Sequence, residues 1–410
     1  MNKVSEMLSV DEALTRVMAA FQILPSEQVS LTNGLGRVLA EDVAARVTQP
    51  PVAVSSMDGY AVRAIDIDDV PITLTQIGMS QAGQGFDGAI GVGECVRIFT
   101  GAPLPEKADT IIIQEVTIVN GDKVTIQQSA EIGADIRAAG LDFSVGDTLL
   151  SSGKRLTARD MGLAASMNVP WLKVRRRPKV AVLATGDELV MPGDSKRLDQ
   201  IISSNSVAIG AYVRVLGGEP IDLGIARDTP ESFRQAIAGA ENADILVTIG
   251  GASVGEFDLV RKVLGEEGLD INFYKIAMRP GKPLIFGQLR NIAVLGLPGN
   301  PVSAGVTSVI FLRAAIAAML GLDHDAMPDI TRARLGCDLK ANGVRQDYMR
   351  ATLGYSDDGG LLATPFRYQD SAMMALFAKA DCLVVRPPEA PAAKAGDIIT
   401  ILRLDPGWGF

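Results

Sequence analysis

A chain of 410 residues with 39 basic and 48 acidic side chains has a net charge of −9, a balance that disfavours nucleic acid and anionic membranes as partners. Three cysteines far apart and a single histidine leave no material for a disulfide framework, a zinc knuckle or Ser-His-Asp catalysis. The length implies several cores, and a small phosphorylated ligand stays compatible, because a few N–H groups and cations bind it locally against the overall field.

The first residues, MNKVSE, lack an apolar signal segment and are followed by Asp11 and Glu12, so a cytoplasmic protein is expected. Ser9 with Glu12 three residues on has the form of a capping box and predicts a helix over 9–24. From Pro50 to about Gly140 short β-branched runs, such as CVRIF from Cys95 and TIII from Thr110, alternate with glycines, the texture of an all-β insertion. Turn signals stand at Asn120-Gly121 and at Asp58-Gly59, the second reading as the type I′ turn of a hairpin. The stretch 141–178 is mixed and ends in Arg175, Arg176, Arg177 and Pro178, read as a solvated linker because no aromatic residue interleaves the arginines.

Beyond Val180 the apolar runs VAVLA, IDLGI and DILVTI alternate with helices predicted over 206–216, 230–240 and 257–267, followed by strands near Ile271, Leu284 and Ile292 and a long helix from Pro301. This is βαβ patterning, and it predicts an open, doubly wound α/β domain with a parallel sheet covered on both faces. The apolar segment 305–320, broken by Arg313, is read as too short to span a bilayer and therefore as a core helix, with His324 in the surface loop after it. A β pattern returns after residue 328 and closes in AGDIITILR, a C-terminal β-barrel-like domain. The expected limits are 1–50 plus 140–178 for an N-terminal domain, 51–139 for the β-rich insertion, 179–327 for the α/β domain and 328–410 for the last.

In open α/β sheets ligands bind beyond the carboxyl ends of the strands, and three loops there are unusual. TGDEL at 185–189 places Asp187 and Glu188 at a strand end, although as a helix N-terminus it needs no function. Gly250, Gly251 and Ser253 open GGASVGEFD, whose glycines let the backbone approach a phosphate while Asp258 offers a carboxylate to a divalent metal; the run is neither a P-loop nor a dinucleotide fingerprint. MRPGKP at 278–283 and LPGNP at 297–301 are paired proline-glycine turns, the second explicable by Asn300 as N-cap with Pro301 at N1, a cap that also aims N–H groups at an anion. Lys275, Arg279 and Lys282 add positive charge, and Asp228 adds a fourth carboxylate at a strand end, economically an N-cap when taken alone. The residues by themselves therefore describe a metal-assisted, anion-binding α/β enzyme of unspecified chemistry.

The order of PP at 50–51, SMDGYAV at 56–62, TGAP at 100–103, RPKV at 177–180, TGDEL, GGASVG, PGKP and LPGNP resembles the MoeA family of molybdopterin molybdenumtransferases, over essentially the whole chain. The resemblance implies insertion of molybdate into adenylylated molybdopterin, with release of AMP and a requirement for Mg²⁺. It further implies that Glu188, Asp228 and Asp258 handle metal and pyrophosphate. Ser253, Lys275, Arg279, Lys282 and the turn of Pro298, Asn300 and Pro301 would then face nucleotide phosphate or molybdate. Asp58 and Thr100 would reach the site from the partner subunit of an elongated homodimer, and Arg137 and Asp142 match a further element, IRAAGLD. Contacts with the preceding adenylyltransferase and with recipient molybdoenzymes are implied as well. Arg279 stands where the family commonly has lysine, Leu141 where glutamate, Lys107 where glycine and Asp381 where asparagine is frequent. Two alternatives stay open at this point: the adenylyltransferase itself, and a non-catalytic scaffold like that of gephyrin.

Overall fold

The computed structural model describes residues 7–250, 263–322 and 330–404. The first helix, α1 (Val10–Ala19), is capped reciprocally: the Ser9 hydroxyl accepts from the Glu12 amide at 3.2 Å, and the Glu12 carboxylate accepts from the Ser9 amide at 3.1 Å. It ends at Ala19, short of the predicted residue 24. Phe21 and Leu24 follow in an extended segment that packs on the main core, and the Leu24 amide donates to the Met319 carbonyl at 2.8 Å. β1 (Ser26–Ser30) comes next.

The insertion contains β2 (Gly59–Val62), β3 (Ile72–Ser80), β4 (Glu94–Ile98), β5 (Thr110–Ile113), β6 (Thr117–Asn120) and β7 (Lys123–Ile126), hydrogen-bonded in the order β5-β2-β4-β3-β7-β6. Strand alternation sends Tyr60, Cys95 and Ile112 to one face and Ala61, Val96 and Ile111 to the other, and both faces are buried. Gly121, at φ 62°, turns β6 into β7 as the sequence suggests. Asp58-Gly59 is not a hairpin turn. Val54–Ser55 pairs with Ile136–Arg137, and Gly59 simply opens β2. The glycine is required by proximity, since a Cβ there would stand 2.0 Å from the Ile112 carbonyl oxygen.

After α2 (Ala158–Ser166), β8 (Trp171–Arg175) pairs back with β1, so the segments flanking the insertion share one core around Leu39, Phe143, Met167 and Leu172. The arginines that follow are not a solvated linker. Arg176 donates to both carboxylate oxygens of Asp244 at 2.9 and 2.8 Å, and the same carboxylate accepts from the Lys179 amide at 2.7 Å. A partner 68 residues away is invisible to local patterning.

The α/β domain runs through β9 (Lys179–Thr185), α3 (Ser204–Val215), β10 (Glu219–Ala226), α4 (Pro230–Ala238), β11 (Ile245–Ile249), β12 (Leu269–Lys275), β13 (Pro283–Leu289) and β14 (Ile292–Leu297). The sheet order is β10-β9-β11-β14-β13-β12, with cores on both faces, one around α1 and α3 and the other around Phe233 of α4. The first four strands in that order pair in parallel and β13 runs against its neighbours β14 and β12, so the sheet is mixed rather than purely parallel. β13 reaches β14 through Arg290 and Asn291, with Leu289 paired to Ile292, and a connection that short joins only antiparallel neighbours. The predicted helix over 257–267 falls largely outside the described residues.

The long helix α5 spans Pro301–Leu320, with a π-helical stretch at Ser308–Leu312. At 20 residues and a mean hydropathy of 1.8 it is long enough to cross a membrane, which corrects the argument from shortness made for 305–320; its apolarity is accounted for by the 89% of its most apolar window that is buried inside the fold. The last strands, β15 (Ile330–Leu335), β16 (Gln346–Tyr355), β17 (Leu361–Pro365), β18 (Cys382–Arg386) and β19 (Ile398–Arg403), close into a five-stranded barrel in the order β16-β17-β15-β19-β18 and back to β16. Because backbone cannot yield as a side chain does, Gly59→Ala is expected to destabilise the protein by about 1–3 kcal/mol. The urea midpoint measures this, and an unshifted midpoint would count against the close contact.

Candidate functional site

β9, β11 and β14 end on a common rung, with Ala184 beside Ile249 and Ile249 beside Leu297. The chain leaves β9 for β10 on one side and returns to β11 on the other, which is the strand-order reversal where such sheets open a crevice. A cavity of about 640 Å³ lies there, lined by Thr185, Glu188, Leu189, Ser203, Ser204, Asn205, Gly250, Pro283, Pro298, Gly299, Asn300, Pro301 and Ser303, with Ala372 and Met374 supplied by the C-terminal domain.

TGDEL is not a helix N-terminus. Gly186, at φ 146°, turns the chain into a short strand, Leu189–Val190. The Glu188 carboxylate folds over Gly186, with an oxygen 2.5 Å from where a Cβ would stand. Asp187 and Asp228 exchange bonds: the Asp187 amide donates to the Asp228 carboxylate at 3.3 Å and the Asp228 amide to that of Asp187 at 3.2 Å. Asp228 is therefore not the N-cap of α4. Thr229 is, accepting from the Ser232 amide at 3.3 Å. Arg227 braces the arrangement by donating to the Asp187 carbonyl at 3.0 Å.

The two helices that start at the cavity differ as anion sites. At α5, Pro301 has no N–H and the Val302 amide donates to the Ser371 carbonyl at 3.0 Å; Asn300 is the N-cap residue, but its side chain donates to the Ser371 hydroxyl at 2.9 Å. The donors expected from this turn are thus partly spent on the C-terminal domain. α3 begins at Ser204, two residues before the predicted start, and Ser203 makes no side-chain capping bond. Its first turn opens on the cavity, and Asn205 donates to the Gly299 carbonyl at 2.7 Å, tying the two termini together. Ser203, Ser204 and Asn205 belong to none of the motifs above, although SSNS at a helix start is a polar run of the type that signals one.

The cations distribute unevenly. Arg279 is bound bidentately by Asp347, through Nε at 2.7 Å and a second contact from Nη2. Lys275 lies over the Tyr274 ring at 4.9 Å, and Lys282 is exposed beside the cavity-lining Pro283. Arg350 is fully buried, which lowers its pKa, and donates to the Asp370 carbonyl at 3.1 Å in the segment that carries Ala372 and Met374.

Four candidates belong to the insertion and its junction and do not line the cavity. The Asp58 carboxylate accepts from the Thr100 amide at 2.8 Å and the Thr100 hydroxyl at 2.9 Å. Arg137 and Asp142 are exposed, their backbone paired with Val54 and Gln49. Gly251, Ser253 and Asp258 lie outside the described residues. Among the described residues no group of three His, Cys, Asp or Glu is placed to hold a metal. The hard carboxylate oxygens of Glu188 and Asp228 nevertheless match Mg²⁺, which takes one or two carboxylates and completes its shell with phosphate and water.

Thr100 holds the Asp58 pKa below the usual carboxylate range, first through its amide and then through its hydroxyl. A depressed carboxylate keeps its bonds above the ordinary range and loses them as pH falls through the lowered value. In Thr100→Val the amide remains and the hydroxyl is lost, so the titration of Asp58, followed by carboxyl NMR, should move part of the way up; an unmoved curve would refute a contribution from the hydroxyl.

Three family descriptions match in succession: the MoeA N-terminal region (domains I and II) over 8–168, a probable molybdopterin binding domain over 181–318, and the MoeA C-terminal region (domain IV) over 332–404. A molybdopterin molybdenumtransferase of Haemophilus influenzae is 35% identical over 96% of this chain and 98% of its own length. One from Nostoc is 33% identical over 92% and 89%. The crystal structure of a molybdopterin biosynthesis MoeA protein from Pyrococcus horikosii superimposes with a TM-score of 0.83 at 32% identity, covering 98% of this chain and all of that one. Matches on both sides of the α/β domain disfavour the adenylyltransferase alternative. With that likeness running from end to end, the chain belongs to the MoeA family.

Proposed function

We propose that this protein is a molybdopterin molybdenumtransferase: it inserts molybdate into adenylylated molybdopterin, releases AMP and so yields molybdenum cofactor. The observation that carries the reading is the cavity at the common strand end, where the uncapped N-terminus of α3 meets the Glu188 carboxylate. An N–H-lined helix start binds phosphate or an oxyanion, and the volume suits a ligand with a nucleotide portion. Glu188, which lines the cavity, would hold Mg²⁺ together with Asp228 and Asp258. When bound, the metal neutralises charge that develops as the phosphoanhydride is cleaved.

The residues of the chain then divide the work. The first turn of α3 receives phosphate oxygens, Gly250 lets the backbone come close while its amide is held by the Leu297 carbonyl at 3.2 Å, Lys275 and Lys282 supply long-range positive charge, and Asn205 holds the α3 start against the Pro298–Asn300 turn. Arg279, clamped by Asp347, presents its outer guanidinium edge rather than a free fork. On this reading Asp58 and Thr100, with Arg137 and Asp142, complete the site from the second subunit of a homodimer; none of the four lines the cavity of its own subunit. A cytoplasmic location, with the preceding adenylyltransferase as supplier and molybdoenzymes as recipients, fits a chain with only three cysteines, far apart in sequence, and the chemistry.

Purified protein given adenylylated molybdopterin, molybdate and Mg²⁺ should release AMP, should stop on chelation and resume on adding Mg²⁺, and Glu188→Ala should slow it by about tenfold or more. Absence of AMP would sink the assignment. The shared site has its own test. Asp58→Ala and Glu188→Ala are each expected to be poor catalysts, but co-refolded at equal amounts they should recover about a quarter of wild-type activity, because half the dimers are mixed and each mixed dimer has one intact site. No recovery would place Asp58 and Glu188 in the same subunit's site.

A further inference from the structure

We propose that Arg97, which no motif singles out, is the positioning residue that fixes Asp58 for the transfer reaction; the inference rests on the reading of Asp58 as part of the site. Asp58 immediately precedes β2, and β2 pairs with β4 so that Tyr60 faces Arg97 and Gly59 faces Ile98. The guanidinium of Arg97 lies 5.0 Å from the Tyr60 ring centre and 4.9 Å from that of Phe99. From this aromatic seat it donates in two directions, to the Gly59 carbonyl at 3.1 Å and to the Gln114 side-chain oxygen at 2.6 Å. Gln114 in turn donates its amide to the Asp58 carbonyl at 3.1 Å.

Asp58 is thereby held on both sides. Its own carbonyl and the next one are fixed through Gln114 and Arg97, while Thr100 holds Oδ1 through two bonds. Both of those bonds fall on Oδ1, so Oδ2 is the oxygen left to face a substrate. A planar fork bridges two acceptors and stacks on rings in a way an ammonium does not, which is why arginine suits the place. Like Asp58, Arg97 does not line the cavity of its own subunit. It acts through Asp58 alone.

A double-mutant cycle in the AMP-release assay tests this. With Asp58 present, Arg97→Met is expected to slow transfer by about tenfold, and Arg97→Lys, which keeps the cation but replaces the planar fork with a single nitrogen, should fall between it and wild type. In an Asp58→Asn background the same Arg97→Met change should alter the rate by less than about twofold. Equal losses in both backgrounds would mean a general structural role and overturn the proposal, as would a wild-type rate for Arg97→Met. Should Arg97→Met not fold by circular dichroism, Arg97→Lys carries the cycle on the same criteria. A wild-type rate for Asp58→Asn is a separate failure: it removes Asp58 from the site, and the role of Arg97 with it.

Discussion

The cavity depends on one constraint, the in-register parallel pairing that stops β9, β11 and β14 together. Since Ala184, Ile249 and Leu297 share a rung, the loops that follow must emerge side by side whatever their sequences. Glycines then let them converge. A Cβ on Gly250 would lie 2.7 Å from the Thr185 carbonyl oxygen, so the loops after β9 and β11 meet there only because the position is glycine. Backbone approaching backbone this closely leaves room for a ligand to be met by amides rather than by side chains.

The same pairing explains which parts of the fold were legible in the residues. VAVLA, DILVTI and the IAVLGL of β14 are apolar on both faces because helices cover both faces, and such runs stand out. What they do not encode is direction. PLIFGQL reads like its neighbours yet runs antiparallel, a fact fixed by the two-residue connection after Leu289. Asp58-Gly59 misled for a related reason: the dipeptide is a turn signal by composition, whereas here the missing side chain answers to the Ile112 carbonyl, a contact set by sheet order. Loops at strand ends could be located, but the SSNS start of α3 could not be ranked above other polar runs without the cavity in view.

Charge was the least transferable quantity. Counting basic residues near a motif treats each as available, but an arginine fork seeks the nearest carboxylate, and the fold supplies several. Arg176 is committed to Asp244, and Arg279 to Asp347, a nearly buried acid whose desolvation makes a bidentate partner valuable. Arg350 is buried and gives its Nη2 to backbone carbonyls of Tyr368 and Asp370, in the segment that walls the cavity. Arg350 thus helps hold the segment that walls the pocket, while the first turn of α3 presents fixed partial charge that needs no side chain to move.

The insertion sets the remaining condition. Its sheet buries apolar residues on both faces and is built as a rigid plate, and Asp58 with Thr100 sits at one end of it, away from the cavity of its own chain. The Asp58 carboxylate is held by two bonds from Thr100, and its backbone is framed through Gln114 and Arg97. Such order at a strand end is wasted unless something docks against it. Within the proposed reading, that something is the cavity of the second subunit: pre-ordering the plate transfers the entropic cost of assembling a two-chain site from the moment of substrate binding to folding. Dimerisation then completes the catalyst.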